Sequence, residues 1–144
     1  MKYLIIFLVL FSCMKKKSSP VNVLKSFIEI RFEKILDKEI IEDFLTGDLL
    51  SKFKNYSDDD YDKLFDKKLK FKNIDILHKN CEEKSCFITY IIKYKKIENN
   101  LTTLNAETKK IAQIIKVDDH WKISDVNNIK TYYQSKKELK ISPK

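Results

Sequence analysis

Phe71-Lys72-Asn73-Ile74-Asp75-Ile76-Leu77-His78-Lys79 and Phe87-Ile88-Thr89-Tyr90-Ile91-Ile92-Lys93-Tyr94-Lys95-Lys96 are the stretches that decide the fold. In the first, Phe71, Asn73, Asp75 and Leu77 share one face, and Ile74, Ile76 and His78 the other. In the second, Ile88, Tyr90, Ile92 and Tyr94 alternate against Phe87, Thr89 and Ile91. A period of two sustained over this length marks β-strands. Downstream, residues 107–117 read as a third strand. Asp118-Asp119 makes a turn, and residues 120–126 return as a fourth strand with Trp121 and Ile123 on one face.

Upstream the period lengthens. Leu24, Phe27, Ile28, Phe32, Ile35 and Leu36 recur at three- and four-residue spacing, which predicts an amphipathic helix over residues 21–37. Ile40, Ile41, Phe44 and Leu45 continue the stripe after a break at Asp37-Lys38. Thr46 is placed to cap a short helix bearing Leu49, Leu50 and Phe53. Ser57, followed by Asp58, Asp59 and Asp60, reads as a second cap with carboxylates in the first turn. Helices first and then a meander of long strands is an α+β layout: N-terminal helices packed on a curved antiparallel sheet of about four strands, wrapped around the first helix. At 144 residues this is one domain, without internal repeats.

The N-terminus carries a different signal. An apolar run from Tyr3 to Phe11 follows Lys2 and leads into Ser12-Cys13 and then Met14-Lys15-Lys16-Lys17. The run falls well short of the ~20 apolar residues that a spanning helix needs. The pattern resembles a bacterial lipoprotein signal, although Phe11 is bulkier than the usual residue there. The resemblance implies cleavage before Cys13 and acylation of its thiol, making membrane lipid a partner through Cys13. It divides the chain into a signal peptide (1–12), a lipidated tether (13–20), a globular domain (21–134) and a polar tail (135–144). The expected location is the bacterial cell envelope. Met14 is not the aspartate that commonly retains such proteins at an inner membrane, so the outer membrane or cell surface is the expected site.

In an exported protein Cys81 and Cys86 remain as a pair, separated by Glu82-Glu83-Lys84-Ser85 between two strands. A cross-strand disulfide is the expectation. The alternatives are a redox pair or half of a metal site, but redox pairs usually have two intervening residues at a helix start, and His78 and His120 are not at metal-finger spacing. The net charge of +8 invites a nucleic-acid reading that the composition opposes. Arg31 is the sole arginine, and lysine alternates with Glu and Asp, whereas a phosphate- or base-reading surface favours the arginine fork. No nucleic-acid partner is expected. Asp58, Asp60 and Asp62 begin a calcium-loop pattern that fails at Lys63 and Leu69, and neither a metal nor any other cofactor is expected.

The run Ala112-Gln113-Ile114-Ile115-Lys116-Val117-Asp118-Asp119-His120-Trp121-Lys122-Ile123-Ser124-Asp125-Val126 resembles the closing hairpin of nuclear-transport-factor-2-like (NTF2-like, cystatin-like) domains. Leu45-Thr46-Gly47-Asp48-Leu49 resembles their second-helix turn. The resemblance spans residues 21–133 and implies a cone-shaped sheet. Members include small-molecule isomerases and dehydratases with an acid or base inside the cone, and non-catalytic lipoproteins or assembly modules.

Proton chemistry in such a cone needs a base and an oxyanion donor. Asp75, His78, Tyr90 and Tyr94 are the available groups. Asp75 and Tyr90 are expected on one side of the sheet, and His78 on the opposite face from Asp75. Arg31 interrupts the apolar stripe of the first helix and so needs a partner or solvent. An ion pair with Asp75, Asp125 or Glu107, or a guanidinium snorkelling past the helix to solvent, is one expectation, and an anion-binding group at the base of the cone is the other. Arg31, Asp75, Tyr90 and Tyr94 are thus the candidate pocket residues, with no residue assigned as catalytic. The sequence reads as a lipid-anchored envelope protein with a non-catalytic binding or accessory domain. Its further partner is an envelope protein or a small ligand, and a cone-pocket enzyme or ligand carrier is the alternative.

Overall fold

A computed structural model of the chain describes residues 18–33, 38–65 and 68–135. Residues 1–17, including the proposed signal and Cys13, lie outside it, as do Ile35, Leu36 and residues 136–144 of the tail. Among the described residues four helices, α1 (Pro20–Phe32), α2 (Lys38–Phe44), α3 (Gly47–Lys54) and α4 (Asp58–Leu64), precede four strands, β1 (Leu69–Cys81), β2 (Ser85–Glu98), β3 (Leu101–Val117) and β4 (His120–Ser135). The strands form an open antiparallel sheet in the order β1-β2-β3-β4, and the fold is α+β. Among the described residues no helix is long and apolar enough to cross a membrane.

The Ser19 side chain caps α1 by accepting from the Asn22 N–H at 3.2 Å, and Pro20 occupies the first turn, where its missing N–H costs nothing. Leu24 (0 % exposed) and Ile28 (1 %) are fully buried. Burial of side chains of this size contributes ~1.5–3 kcal/mol each. The helix stops at Phe32, short of the expected Asp37, because Glu33 turns to extended backbone and donates to the Ile30 carbonyl at 3.0 Å. Thr46 precedes α3, but its hydroxyl does not cap it. Its N–H instead donates to the Ile123 carbonyl at 3.0 Å, pinning this turn to β4. Gly47, the only glycine, follows at φ +60°, a left-handed value that side chains resist. The Ser57 hydroxyl does cap α4, accepting from the Asp60 N–H at 3.2 Å.

The last two strands run farther than the alternation suggested, β3 starting at Leu101 and β4 continuing to Ser135. Two turns with paired positive φ join the long strands, Asn99-Asn100 (50°, 62°) and Asp118-Asp119 (47°, 63°). Such turns match the right-handed twist of the strands they connect. Cys81 and Cys86 face each other across the β1–β2 hairpin as a disulfide with Cα atoms 4.0 Å apart, closer than the usual ~4.4–6.8 Å window. They are direct register partners, and the flanking Glu82 N–H to Ser85 carbonyl bond (2.7 Å) draws the strand ends together.

Register irregularities reset the faces of β1. Phe71 pairs with Tyr94 but Asn73 with Lys93, and Ile76 pairs with Tyr90 but His78 with Thr89. Each extra residue, Lys72 and then Leu77, flips the phase. Phe71 therefore joins Ile74 and Ile76 beneath the helices, while Asn73, Asp75 and His78 share the outer face. The expected opposition of Asp75 and His78, and the expected alliance of Asp75 with Tyr90, are both corrected by these two residues. Beneath the helices, β2 contributes Cys86, Ile88, Tyr90 and Ile92, β3 contributes Ala106, Thr108, Ala112 and Ile114, and β4 contributes Ile123.

Candidate functional site

The inner sheet face is crossed by rows of register partners. Nearest the disulfide, Cys86 aligns with Ile114 and Ile123, and Ile88 with Ala112 and Val126. The next row is Ile76-Tyr90-Lys110-Asn128, followed by Ile74-Ile92-Thr108-Thr131. The face thus changes from aliphatic to polar within one row. Arg31, in the last turn of α1, lies over this change.

Two adjoining cavities meet there, with Arg31, Ile92 and Lys110 lining both. One, of about 210 Å³, is walled by Phe27, Phe53, Tyr56, Phe65 and Tyr90 together with aliphatic side chains. Its aromatic wall is preassembled: Phe53 meets Tyr61 and Phe65 edge-on at 5.6 and 6.3 Å between ring centroids. The other, of about 220 Å³, is polar and is lined by Tyr94, Thr108, Asn128 and Thr131. Thr108 Oγ1 donates to Thr131 Oγ1 at 3.3 Å, and Asn128 Nδ2 donates to the same oxygen at 3.3 Å. With the Thr108 proton so committed, the Tyr94 hydroxyl, 3.4 Å away, is the donor of that pair.

Burial lowers the pKa of the Arg31 guanidinium, an effect that Tyr90, Tyr94 and Tyr56 offset in part. Burial likewise lowers that of Lys110, and the charge of Arg31 lowers it further. The phenol of Tyr90, 1 % exposed, is pushed upward by burial against the opposing pull of Arg31. No Asp or Glu is among the described residues lining either cavity. A wider depression of about 730 Å³ opens at the Asp118-Asp119 end and includes His120 and Trp121, but His120 is exposed and hydrogen-bonds the Asp118 carbonyl through Nδ1 at 2.7 Å. The depression brings together no comparable pair of half-buried cations.

Of the candidate pocket residues, the structure brings Arg31, Tyr90 and Tyr94 together and sets Asp75 apart. On the outer face Asp75 receives Lys93 Nζ at 2.9 Å and Asn73 Nδ2 at 3.0 Å. Hydrogen bonding and charge from Asp75 together raise the pKa of Lys93. The expected Arg31–Asp75 pair is thus replaced by a Lys93–Asp75 pair across the sheet from α1. Glu107 and Asp125, the other proposed partners, are exposed. Asp125 is occupied locally by the Val126 N–H and Asn127 Nδ2. His78 is likewise exposed. Lys110, Thr108, Asn128 and Thr131 escaped the sequence reading. The signal for Lys110 was its phase: it stands two residues before Ala112 and four before Ile114, inward positions where a lysine is out of place.

No protein-family profile matches the chain, and comparison with curated proteins finds no match.

Proposed function

We propose that this is a lipid-anchored protein of the bacterial cell envelope whose NTF2-like domain binds a small ligand without transforming it. The observation that carries the binding reading is the pair of cavities beneath α1, in which Arg31, Lys110 and Tyr90 converge with a hydroxyl network. A concave, largely apolar site with a few convergent polar groups is the usual form of a small-molecule pocket. The NTF2-like cone is supported by α1 touching both edge strands, β1 and β4. Three inter-strand spacings of ~4.8 Å set those edges ~14 Å apart in a flat sheet, wider than a ~10 Å helix, so contact with both favours a sheet curled about α1 or a helix crossing it obliquely.

Anchoring rests on Ser12-Cys13 at the end of the apolar run and on the direction of α1. The helix begins at Pro20 beside the β3–β4 turn and reaches Arg31, which lines both cavities, twelve residues after Ser19, ~18 Å along its axis. A lipid on Cys13 would hold the turn end toward the bilayer and leave the cavities distal to it. The absence of carboxylate or imidazole from the described lining favours binding over proton abstraction. The lowering of the Lys110 pKa by burial and by Arg31 is an observation in favour of an enzyme.

Metabolic labelling with an alkyne fatty acid tests the anchor. The wild-type chain should be labelled and sediment with membranes, and Cys13→Ala should lose both properties. An unmodified mature N-terminus at any residue other than Cys13 would refute the anchor. Pull-down from detergent-solubilised envelopes with the intact lipoprotein tests for a protein partner instead of a small ligand.

A further inference from the structure

The depression of about 730 Å³ at the Asp118-Asp119 end shares a single described wall residue, Leu45, with the cavities beneath α1. Its shape is fixed where the chain crosses from α2 to α3. Leu45 forms a parallel bridge to Ile123, the Thr46 N–H donates to the Ile123 carbonyl at 3.0 Å, and the Phe44 ring rests 6.1 Å from that of Phe27. These contacts set Phe44 and Thr46 in one wall, and β4 supplies Trp121 and Lys122 to another. Trp121 is half-buried and packs on the core, yet its indole N–H meets no acceptor among the described residues.

On the outer face of the sheet, polar side chains satisfy one another: Asn73 and Lys93 bond Asp75, Lys72 bonds Asn105 at 2.7 Å, and Asn127 bonds Asp125. Around the depression they do not. The side chains of Asn22, Asp43, Thr46, Asp118 and Lys122 make no hydrogen bond or ion pair among the described residues. His120 commits Nδ1 to the Asp118 carbonyl; a carbonyl only accepts, so Nδ1 carries the proton and Nε2 of the neutral ring is left as an acceptor.

These groups sort the classes of ligand. An anion would be opposed by Asp43 and Asp118. A cation would satisfy those carboxylates and leave the donors, Lys122 and the indole N–H, without an acceptor. A wholly apolar ligand would cover all of them without a partner. A polyhydroxylated ring suits the whole set, because each hydroxyl both donates and accepts: it gives to Asp43, Asp118 and His120 Nε2, takes from Lys122 and Trp121, and does either with Asn22 and Thr46. The C–H face of such a ring is apolar and matches the rings of Trp121 and Phe44. The depression is also within the ~300–1,000 Å³ range of small-ligand sites.

We propose that this depression is a saccharide site, in which a mono- or disaccharide lies against Trp121 and Phe44 with its hydroxyls held by Asn22, Asp43 and Asp118. It is a second site, and it depends neither on the ligand of the cavities beneath α1 nor on the lipid anchor.

Trp121 is the only tryptophan of the chain, so its emission reports on this depression. The test is a fluorescence titration of the full-length chain, in a polyoxyethylene detergent that carries no sugar, with maltose, cellobiose and N,N′-diacetylchitobiose. Sorbitol, which has the hydroxyls without the ring, is the control. At least one disaccharide should shift the emission saturably, with calorimetry returning the same Kd, and sorbitol should leave it unchanged. Asp43 is exposed and has no partner among the described residues, so Asp43→Ala should keep the thermal midpoint and weaken that disaccharide by about tenfold or more. Emission unmoved by all three disaccharides, an equal response to sorbitol, or an affinity untouched by Asp43→Ala would each overturn the saccharide site. Any of these results leaves the reading of the cavities beneath α1 standing.

Discussion

The two ends of the inner sheet face are built on the same strands and covered by the same helix, yet they differ in chemistry. Toward the disulfide, Cys86, Ile88, Ala112, Ile114 and Ile123 are all at 0 % exposure and form a closed aliphatic core. Toward the Asn99-Asn100 turn, the equivalent positions hold Tyr90, Lys110, Asn128, Thr108 and Thr131, and the packing opens into cavities. The first end has what folding requires. The second carries half-buried cations and cavity volume, both of which reduce stability, and features of this kind cluster where a protein binds something. One strand can thus supply core and site in succession, the division falling between Ala112 and Lys110.

If the disulfide end is the stabilising one, Ile123→Ala should give the largest loss, about 2–5 kcal/mol, by removing a fully buried side chain and leaving a cavity. Urea denaturation measures it, and a loss below ~1 kcal/mol would remove the distinction between the ends. Reducing the Cys81–Cys86 bridge should have a smaller effect. The loop it closes is short, with a sequence separation of 5, for which chain entropy gives about 2 kcal/mol. Reduction should speed amide exchange in the β1–β2 hairpin and leave the cavity end unchanged. Global unfolding on reduction would mean that the hairpin nucleates the whole sheet. The smallest effect belongs to the outer face, where Asp75→Asn breaks the pair with Lys93. Exposed pairs of this kind are screened by solvent, so the thermal midpoint and the ligand affinity should both stay within experimental scatter. Lost ligand binding in this variant would reinstate Asp75 as a pocket residue.

The alternation of β2 and the stripe of α1 made the fold class legible, because both are periodic and both face one core. Arg31 was legible as a misfit for the same reason: a lone charge on a regular stripe needs no partner strand to be noticed. The placement of Asp75 was not. A strand's phase can be read only while it is unbroken, and the extra residues Lys72 and Leu77 break it twice in β1 without any glycine or proline to mark the places. Lys110 was hidden for a related reason. Beside Lys109 it reads as part of a solvated lysine surface until register with Tyr90 fixes its direction. The Asn99-Asn100 turn carried a composition signal, paired asparagines that tolerate positive φ, which also marks the extra length of β3.

Lys110 serves a ligand and not the fold in this reading, and the ligand-free stability of Lys110→Met tests this without knowledge of the ligand. Methionine keeps the length of the apolar stem and removes the charge. Lys110 faces Arg31 from α1 and Tyr90 from β2, with Tyr56 and Tyr94 also in the cavity walls. Because its folded pKa is lowered, the unfolded chain binds more protons in the interval between that lowered value and the ordinary 10.5, and stability should rise with pH across it. Tyr90, whose pKa is raised, acts in the opposite direction and only above its ordinary value of 10.0. Urea denaturation at a series of alkaline pH values should therefore find Lys110→Met at least as stable as the wild type at neutral pH, with the rising limb below pH ~10 absent. A loss at neutral pH comparable to that of Ile123→Ala, with the wild-type pH slope retained, would make Lys110 a structural residue and contradict the account.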